Sequence, residues 1–203
     1  MSLRINDYVE FIYNDNKIGG NVISTNDDLF SVNALIDGKV EVINNINKNT
    51  VLRIISNTVL CYIEKDDYYL MLLRNKRKDD MNSGKWIGVG GHIENGETKD
   101  EALLREVKEE TNLDLIDYKL SGVIYFHDDN YMEIMNLYTS KSFNGNLKEC
   151  DEGTLKWVKK DEIMDLNLWE GDKSFLPLLI KNEPYFEMEL FYEKGILKRI
   201  NKF

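Results

Sequence analysis

The chain has 203 residues, with 26 basic and 36 acidic side chains and a formal net charge of −10. This excess of acid excludes broad binding to a nucleic-acid backbone, which needs a positive surface, but it does not exclude free nucleotides that arrive with their metal ion. No apolar run approaches the roughly 20 residues that cross a bilayer. The two cysteines, Cys61 and Cys150, lie in no pairing or metal-ligand pattern, so we expect a cytoplasmic protein without a membrane segment.

Residues 1–50 contain short runs of β-forming residues separated by turn signals, which predict a small, strongly bent all-β module of the SH3-like barrel kind. The module has no ligand motif. We expect it to provide a docking surface for a protein partner or a homodimer, or else a structural cap on the main domain. In either case, deleting it is predicted to leave the chemistry intact. The predicted strands are residues 8–13, 18–24, 29–36 and 40–43.

Residues 51–203 have an α+β pattern and are predicted to form the second, main domain. The chain is predicted to close on a hairpin made by residues 185–192 and 195–200. The other predicted strands are residues 58–64, 69–74, 122–126, 133–140 and 154–158, and the predicted helices are residues 99–111, 160–165 and 172–180.

The first predicted helix concentrates acidic side chains on one face. Thr98 followed by Glu101 is a capping box, which specifies the start of the helix. Glu106, Glu109 and Glu110 then have helical i, i+3 and i+4 spacing, where like charges cost roughly 0.2–0.5 kcal/mol per pair. A cation would reverse that cost, and Mg²⁺, with Mn²⁺ as a substitute, is suited to carboxylates and phosphates. The alternative is a solvated acidic helix.

This helix belongs to a longer pattern that starts at Gly91 and ends at Leu113. Its spacing, G-x5-E-x7-R-E-U-x-E-E-x-N-U with U an aliphatic residue, resembles the signature of the Nudix hydrolases. The resemblance covers residues 52–200 and implies the Nudix α/β/α sandwich and hydrolysis of a phosphoanhydride bond in a nucleoside diphosphate derivative. Asn112 stands where the family usually has glycine. Since Asn tolerates a left-handed backbone, we expect slightly lower stability and unchanged catalysis.

The same resemblance implies roles for individual residues of the signature. Glu97 would pair with Arg105 and hold the loop against the helix. Glu106 is the first choice for the base that activates or orients the attacking water, with Glu109, Glu110 and Glu152 as alternatives. The implied metal ligands are the carbonyl of Gly91 and the carboxylates of Glu106, Glu109 and Glu110.

Two further positions outside the signature are candidates for the site. In Nudix relatives an acid in the loop before a late strand completes the metal site, and Glu152 matches that position; a surface-loop acid is the equal alternative. Basic residues for the substrate phosphates are expected from Arg74, Lys76 and Arg77, with Arg74 preferred because it ends a strand near the glycine-rich loop. A solvated turn is the alternative for the residues after Arg74.

Residues 168–179 resemble the base-binding segment of the MutT-type 8-oxo-dGTP diphosphatases within that family. The resemblance implies that Trp169 stacks on a purine and that Asp172 binds its edge. Alternatively, Trp169 packs the last helix and Asp172 caps it. Gly171 and Ile87 stand where those enzymes have a second aspartate and a base-reading asparagine, so other purine nucleoside triphosphates stay open as substrates.

Three functions follow from these patterns. The first is a Mg²⁺-dependent nucleoside triphosphate pyrophosphohydrolase that removes oxidised purine nucleotides such as 8-oxo-dGTP from the precursor pool of DNA. The second is a Nudix hydrolase of another diphosphate, such as ADP-ribose or a nucleotide sugar. The third is a ligand sensor without catalysis, with residues 1–50 as its partner-binding module. The intact carboxylate set disfavours the sensor.

Overall fold

The computed structural model describes residues 3–76 and 81–203. Strands predominate in this part of the chain, and two α-helices pack against them. The strands are β1 (Tyr8–Tyr13), β2 (Asn16–Thr25), β3 (Leu29–Ile36), β4 (Lys39–Asn47), β5 (Val51–Lys65), β6 (Tyr68–Arg74), β7 (Trp86–Ile87), β8 (Val89–His92), β9 (Asp114–Asp128), β10 (Tyr131–Asn144), β11 (Gly153–Lys159), β12 (Phe186–Glu193) and β13 (Ile196–Lys202), and the helices are α1 (Lys99–Thr111) and α2 (Asp172–Ile180).

The strands form a mixed sheet in which β5 is the central element. The order is β13-β12-β9-β10-β5-β1-β2-β3-β4, and β8 also pairs with β5. The β10–β5 and β12–β9 pairs are parallel, whereas the other neighbours in this order are antiparallel. A smaller ladder is formed by β6, which pairs with β5, β7 and β11. The glycine-rich strand β8 thereby lies against the middle of the main sheet.

The two helices cover opposite faces of β5. Successive side chains of a strand point to opposite faces. Cys61 and Ile63 belong to a core cluster that includes Leu103 and Val107 of α1, whereas Tyr62 belongs to a different cluster with Phe175 of α2. This arrangement agrees with the predicted α/β/α layers. Both cysteines are buried and free, as expected.

The four strands predicted within residues 1–50 are present, but the predicted SH3-like barrel is not confirmed. Strand β1 pairs with β5 and continues the main sheet, and β4 pairs with β3 alone among the described strands, so the sheet does not close. These strands have their own core, which includes Phe11 and Phe30 and also takes in Ile54 and Tyr131 from the rest of the chain. The division at residue 50 therefore stays a prediction.

One predicted helix is wrong. Residues 160–165 form a single 3₁₀ turn, Ile163–Asp165, instead of an α-helix. The backbone N–H of Lys160 donates to the carbonyl of Asp67 at 2.9 Å, and its ammonium lies 2.9 Å from the carboxylate of Glu64. These contacts hold Lys160 against the β5–β6 turn, and the residues after it make i→i+3 backbone hydrogen bonds, from Asp165 to Glu162 and from Leu166 to Ile163, which are typical of a 3₁₀ turn. The other two predicted helices and the closing hairpin are confirmed.

No helix in the described ranges is both long enough and apolar enough to pass through a membrane.

Candidate active site

Helix α1 has the ends that its sequence predicts. At its start the Thr98 hydroxyl accepts from the N–H of Glu101 at 3.2 Å, and the Glu101 carboxylate accepts from the N–H of Thr98 at 2.8 Å. At its end Asn112 has φ 63° and ψ 13°, the left-handed conformation expected where the family usually has glycine. The helix therefore presents its acidic residues at defined positions beside β8.

An ion pair joins the loop before α1 to the helix. Arg105 donates from Nε and Nη2 to the two carboxylate oxygens of Glu97, at 2.7 and 2.9 Å. Its Nη2 also donates to the carbonyl of His92 at 3.0 Å, and Glu97 accepts from the N–H of Glu94 at 2.9 Å. The hydrogen bonds from Arg105 lower the pKa of Glu97. The geometry suits the structural role that the signature implies for this pair.

The carboxylate of Glu106 lies directly against the backbone of Gly91. A Cβ atom at Gly91 would stand 2.5 Å from Glu106 Oε1, so the contact requires glycine. Arg105 Nη1 donates to that same oxygen at 2.8 Å. Burial raises the pKa of Glu106, Arg105 opposes this, and the charges of Glu109 and Glu152 add to the rise.

Glu110 is the most buried acid of the helix, at 4% exposure. Its Oε2 accepts from the N–H of Gly90 at 2.8 Å, whereas Oε1 has no hydrogen bond among the described residues and lies 3.8 Å from Nη1 of Arg74. Burial, reinforced by the nearby carboxylates of Glu152 and Glu106, raises the pKa of Glu110 to about 8. The buried oxygen without a hydrogen bond is suited to a cation.

Arg74 and Glu152 come together although 78 positions separate them. Strands β6 and β11 pair so that Gly153 is opposite Arg74, and the two side chains form an ion pair. Lys76, in contrast, donates to the carbonyl of Cys150 at 2.7 Å and so binds the loop before β11. Arg77, also considered for the phosphates, lies outside the described residues.

Glu109 differs from its two neighbours on the helix. Its side chain is 61% exposed, and its carboxylate lies 3.4 Å from Nη1 of Arg105. The three acids predicted to share one face therefore differ in environment. Glu110 is buried against Gly90, Glu106 lies against Gly91, and Glu109 is exposed to solvent.

A cavity of about 750 Å³ opens beside these residues, a volume suited to a nucleotide-sized ligand. Four of the predicted site residues line it, and the other six, Glu97, Arg105, Glu109, Glu110, Trp169 and Asp172, do not. Those that do are Arg74, Gly91, Glu106 and Glu152.

The sequence matches the family profile described as NUDIX domain over residues 55–179. The chain belongs to the Nudix family. Members hydrolyse pyrophosphate bonds in small nucleotide substrates and generally use divalent metals such as Mg²⁺. This match includes the stretch from Gly91 to Leu113, which has the spacing of the family signature, the Nudix box.

The chain is similar to several Nudix proteins. The uncharacterized Nudix hydrolase YvcI of Bacillus subtilis (strain 168) is 30% identical over 129 residues, 61% of this chain and 78% of that protein. The oxidized purine nucleoside triphosphate hydrolase of Mus musculus is 28% identical over 116 residues, 56% and 74% of the two chains. An ADP-ribose pyrophosphatase of Methanocaldococcus jannaschii is 36% identical over 107 residues, 52% and 59%.

Among solved structures, the MutT protein from Bacillus halodurans superimposes with a TM-score of 0.65 at 24% identity, covering 72% of this chain and 97% of that one. At this identity the likeness shows the Nudix fold alone.

The donor set beside the Nudix box fits a divalent cation of the oxygen-binding kind. Glu106 and Glu152 line the cavity with Gly91, and Glu110 lies directly beneath. Within the described part of the chain, no three His, Cys, Asp or Glu side chains stand close enough together to hold a metal ion as they are now placed. Arginines hold Glu106 and Glu152 instead. Mg²⁺, which keeps several of its waters, is compatible with such an open set.

Trp169 is half-buried at the edge of the cavity. Its indole N–H donates to Asn82, a cavity-lining residue, at 2.8 Å. The Lys85 ammonium lies 5.1 Å from the centre of the ring, and Tyr192 meets the ring edge-on at 6.1 Å. Trp169 therefore contacts both the core and the cavity wall.

Asp172 is not the cap of α2. Gly171 occupies the N-cap position without a side-chain hydrogen bond, and Asp172 is the first residue of the helix, so the capping alternative is wrong. Its carboxylate takes part in none of the hydrogen bonds between described residues, and the residue as a whole is 8% exposed. Burial raises the pKa of Asp172 to about 7, the charge of Glu133 adds to the rise, and Lys85 opposes it.

Polar residues that the sequence analysis missed line another wall of the cavity. Glu133 accepts from the Thr58 hydroxyl at 2.8 Å and from the Tyr131 hydroxyl at 3.2 Å. Arg4 and Asp7 reach the same wall from the segment before β1. An acid inside the apolar run of β10 is a sequence signal for Glu133, whereas no local pattern marks Arg4 or Asp7.

Proposed function

We propose that this Nudix protein is a Mg²⁺-dependent nucleoside triphosphate pyrophosphohydrolase. It would act on oxidised purine nucleotides such as 8-oxo-dGTP and release the monophosphate and pyrophosphate. The observation that carries the proposal is one cavity that is lined both by Glu106 of the Nudix box and by Asn82, the hydrogen-bond partner of Trp169. The similarity to the oxidized purine nucleoside triphosphate hydrolase of Mus musculus supports the substrate class.

The residues proposed to do the chemistry have distinct tasks. Arg105 holds Oε1 of Glu106, which leaves Oε2 of Glu106 to accept a proton from the attacking water. Arg105 also fixes Glu97 and, through it, the loop. Glu106, Glu109, Glu110, Glu152 and the Gly91 carbonyl would hold Mg²⁺, and the chemistry it would supply there is neutralisation of phosphate charge and a more acidic attacking water.

The purine base of the substrate is proposed to lie between the ring of Trp169 and the carboxyls of Asp172 and Glu133. A flat indole face provides stacking area, and a carboxyl in a water-poor environment discriminates strongly between hydrogen-bond donors and acceptors on a purine edge. Burial raises the pKa of Asp172, and Glu133 is close enough for its charge to add to that rise. We assign Asp172 to the edge of the base and Arg74 to the phosphates.

The second candidate substrate is ADP-ribose. The observation in its favour is the 36% identity with the ADP-ribose pyrophosphatase of Methanocaldococcus jannaschii, although that match spans 59% of the archaeal protein. Both candidates share the same box and the same bond type, so substrate preference separates them.

A substrate panel tests the proposal. With Mg²⁺ present, hydrolysis of 8-oxo-dGTP, dGTP and ADP-ribose is measured side by side, and products are identified by chromatography. We expect kcat/KM to be highest for 8-oxo-dGTP, with pyrophosphate released. Equal or lower kcat/KM for 8-oxo-dGTP than for dGTP would overturn the assignment to oxidised purines, and a preference for ADP-ribose would favour the second candidate.

The catalytic assignment is tested separately by Glu106→Gln. This change keeps the shape of the side chain and removes its basicity, so we expect kcat to fall by about 10²-fold or more. Glu183→Gln is the matched control because Glu183 is exposed and distant in sequence from the box. Near-normal kcat in the Glu106 variant would refute its role.

A further inference from the structure

We propose that the segment before β1 is part of the nucleotide site: Arg4 binds a substrate phosphate, and Asp7 is the positioning residue that holds Arg4. The inference rests on the proposed function, since it concerns a phosphate-bearing ligand in the same cavity. It assigns a role in the site to a segment that lies outside the Nudix domain match at residues 55–179.

The segment is anchored at both of its ends. Leu3 is buried in the core formed by the N-terminal strands. The N–H of Asn6 donates to the carbonyl of Val22 at 2.9 Å, and the N–H of Val22 donates to the carbonyl of Asp7 at 2.9 Å. Packing of Leu3 and hydrogen bonds to strand β2 therefore hold the backbone around Arg4, so the position from which the Arg4 side chain extends is fixed.

Asp7 connects this segment to the Nudix domain. Its side chain is buried at 3% exposure. One carboxylate oxygen accepts from the backbone N–H of Arg4 at 2.9 Å, and the other accepts from the hydroxyl of Ser56 on β5. A single buried carboxylate thus ties the backbone of Arg4 to the central strand of the catalytic domain.

The guanidinium of Arg4 faces the catalytic cavity. Arg4 is exposed and lines the cavity, and its Nη1 lies 3.0 and 3.3 Å from the two ring nitrogens of His92, the residue after Gly91. Within residues 3–76 and 81–203, the Arg4 guanidinium makes no ion pair, whereas Arg74 is paired with Glu152 and lies near Glu110.

The charge of the cavity explains why such a group is useful. Glu106, Glu133 and Glu152 line the same space, and a polyphosphate entering it meets strong repulsion unless cations offset its charge. A guanidinium presents several N–H donors in a fixed fork that matches phosphate oxygens, and charge-assisted hydrogen bonds of this kind are among the strong ones. Arg4 stands within the cavity beside the Nudix box and supplies this chemistry.

This inference changes the expectation for the N-terminal strands. The sequence alone predicts that deletion of residues 1–50 leaves the chemistry intact. If Arg4 binds phosphate, that deletion removes part of the substrate site, and point variants in the full chain are the appropriate test.

The experiment measures binding of the non-hydrolysable α,β-methylene analogue of dGTP with Mg²⁺ by calorimetry, together with KM and kcat for the hydrolysed nucleotide. For Arg4→Ala we expect the Kd and KM to rise about tenfold to a hundredfold with kcat much less affected, and Arg4→Lys to lie between it and the wild type. Lys39→Ala, an exposed basic residue of the same strands, is the matched control and should bind normally.

Asp7→Asn tests the positioning role. If Asp7 acts through Arg4, the double variant that combines Arg4→Ala with Asp7→Asn should lose no more affinity than Arg4→Ala alone. Additive losses would overturn that role. Unchanged Kd and KM in Arg4→Ala, or an equal loss in Lys39→Ala, would overturn the phosphate assignment while hydrolysis by the wild type stands. A wild type that neither binds the analogue nor hydrolyses a triphosphate would overturn the proposed function as well.

Discussion

Replacing Asp172 by asparagine should stabilise the protein at neutral pH while impairing its activity. Burial is the main reason that the pKa of Asp172 rises from 3.8 to about 7. In the folded protein this carboxyl therefore keeps its proton over a pH range in which the unfolded chain releases it. The native state binds more protons than the unfolded state between those values, so the wild type loses stability as the pH rises through this window.

The size of the effect follows from the same two values. The loss of unfolding free energy grows by about 1.4 kcal/mol per pH unit between the two pKa values and reaches about 4 kcal/mol at pH 7. Against this, Asp172 is the first residue of α2, where the helix dipole typically favours a carboxylate by about 1 kcal/mol. Asparagine loses the interaction with the helix dipole, but it also removes the larger free-energy cost of keeping an ionisable carboxyl buried. We expect a net gain of about 3 kcal/mol at pH 7, or about 6–12 °C in Tm.

Urea unfolding at pH 4, 5.5 and 7 measures this gain directly. The advantage of Asp172→Asn should shrink to below about 1 kcal/mol at pH 4, because this pH is so close to the unfolded-state pKa of 3.8 that roughly 40% of the unfolded chains also keep the proton. Asp67→Asn, at an exposed position, is the control and should show little change at any pH. A gain that is equal at pH 4 and pH 7, or a loss at pH 7, would refute the reasoning.

Three further changes test the site and its supports. Gly91→Ala places a Cβ 2.5 Å from Glu106 Oε1, so kcat should fall at least about tenfold with circular dichroism unchanged; normal kcat would contradict the close contact. Asn112→Ala puts alanine at φ 63° and should cost about 1–2 kcal/mol of unfolding free energy without changing kcat. Trp169→Phe removes the hydrogen bond to Asn82 and should raise KM for a purine triphosphate severalfold; a KM that stays constant would argue against base binding at this wall.

Local patterns were sufficient for much of the fold. Helix α1 begins and ends where its capping box and Asn112 predict, because these signals act within a few residues of each other. The turn at 163–165 shows the limit of such patterns. The pattern of residues 160–165 favours a helix, but Lys160 makes long-range contacts with the β5–β6 turn and only a 3₁₀ turn forms after it.

The sequence by itself determined the chemistry, because the Nudix box places its acids and its arginine within about two dozen consecutive residues. Only the tertiary structure decided which of those acids is buried, which faces Gly91 and which stays in solvent. It also decided that Arg4, Asp7 and Glu133 share a cavity with the box. Their meeting depends on β1 and β10 pairing with opposite edges of β5, and strand pairing over such sequence separations leaves no local signal in the residues themselves.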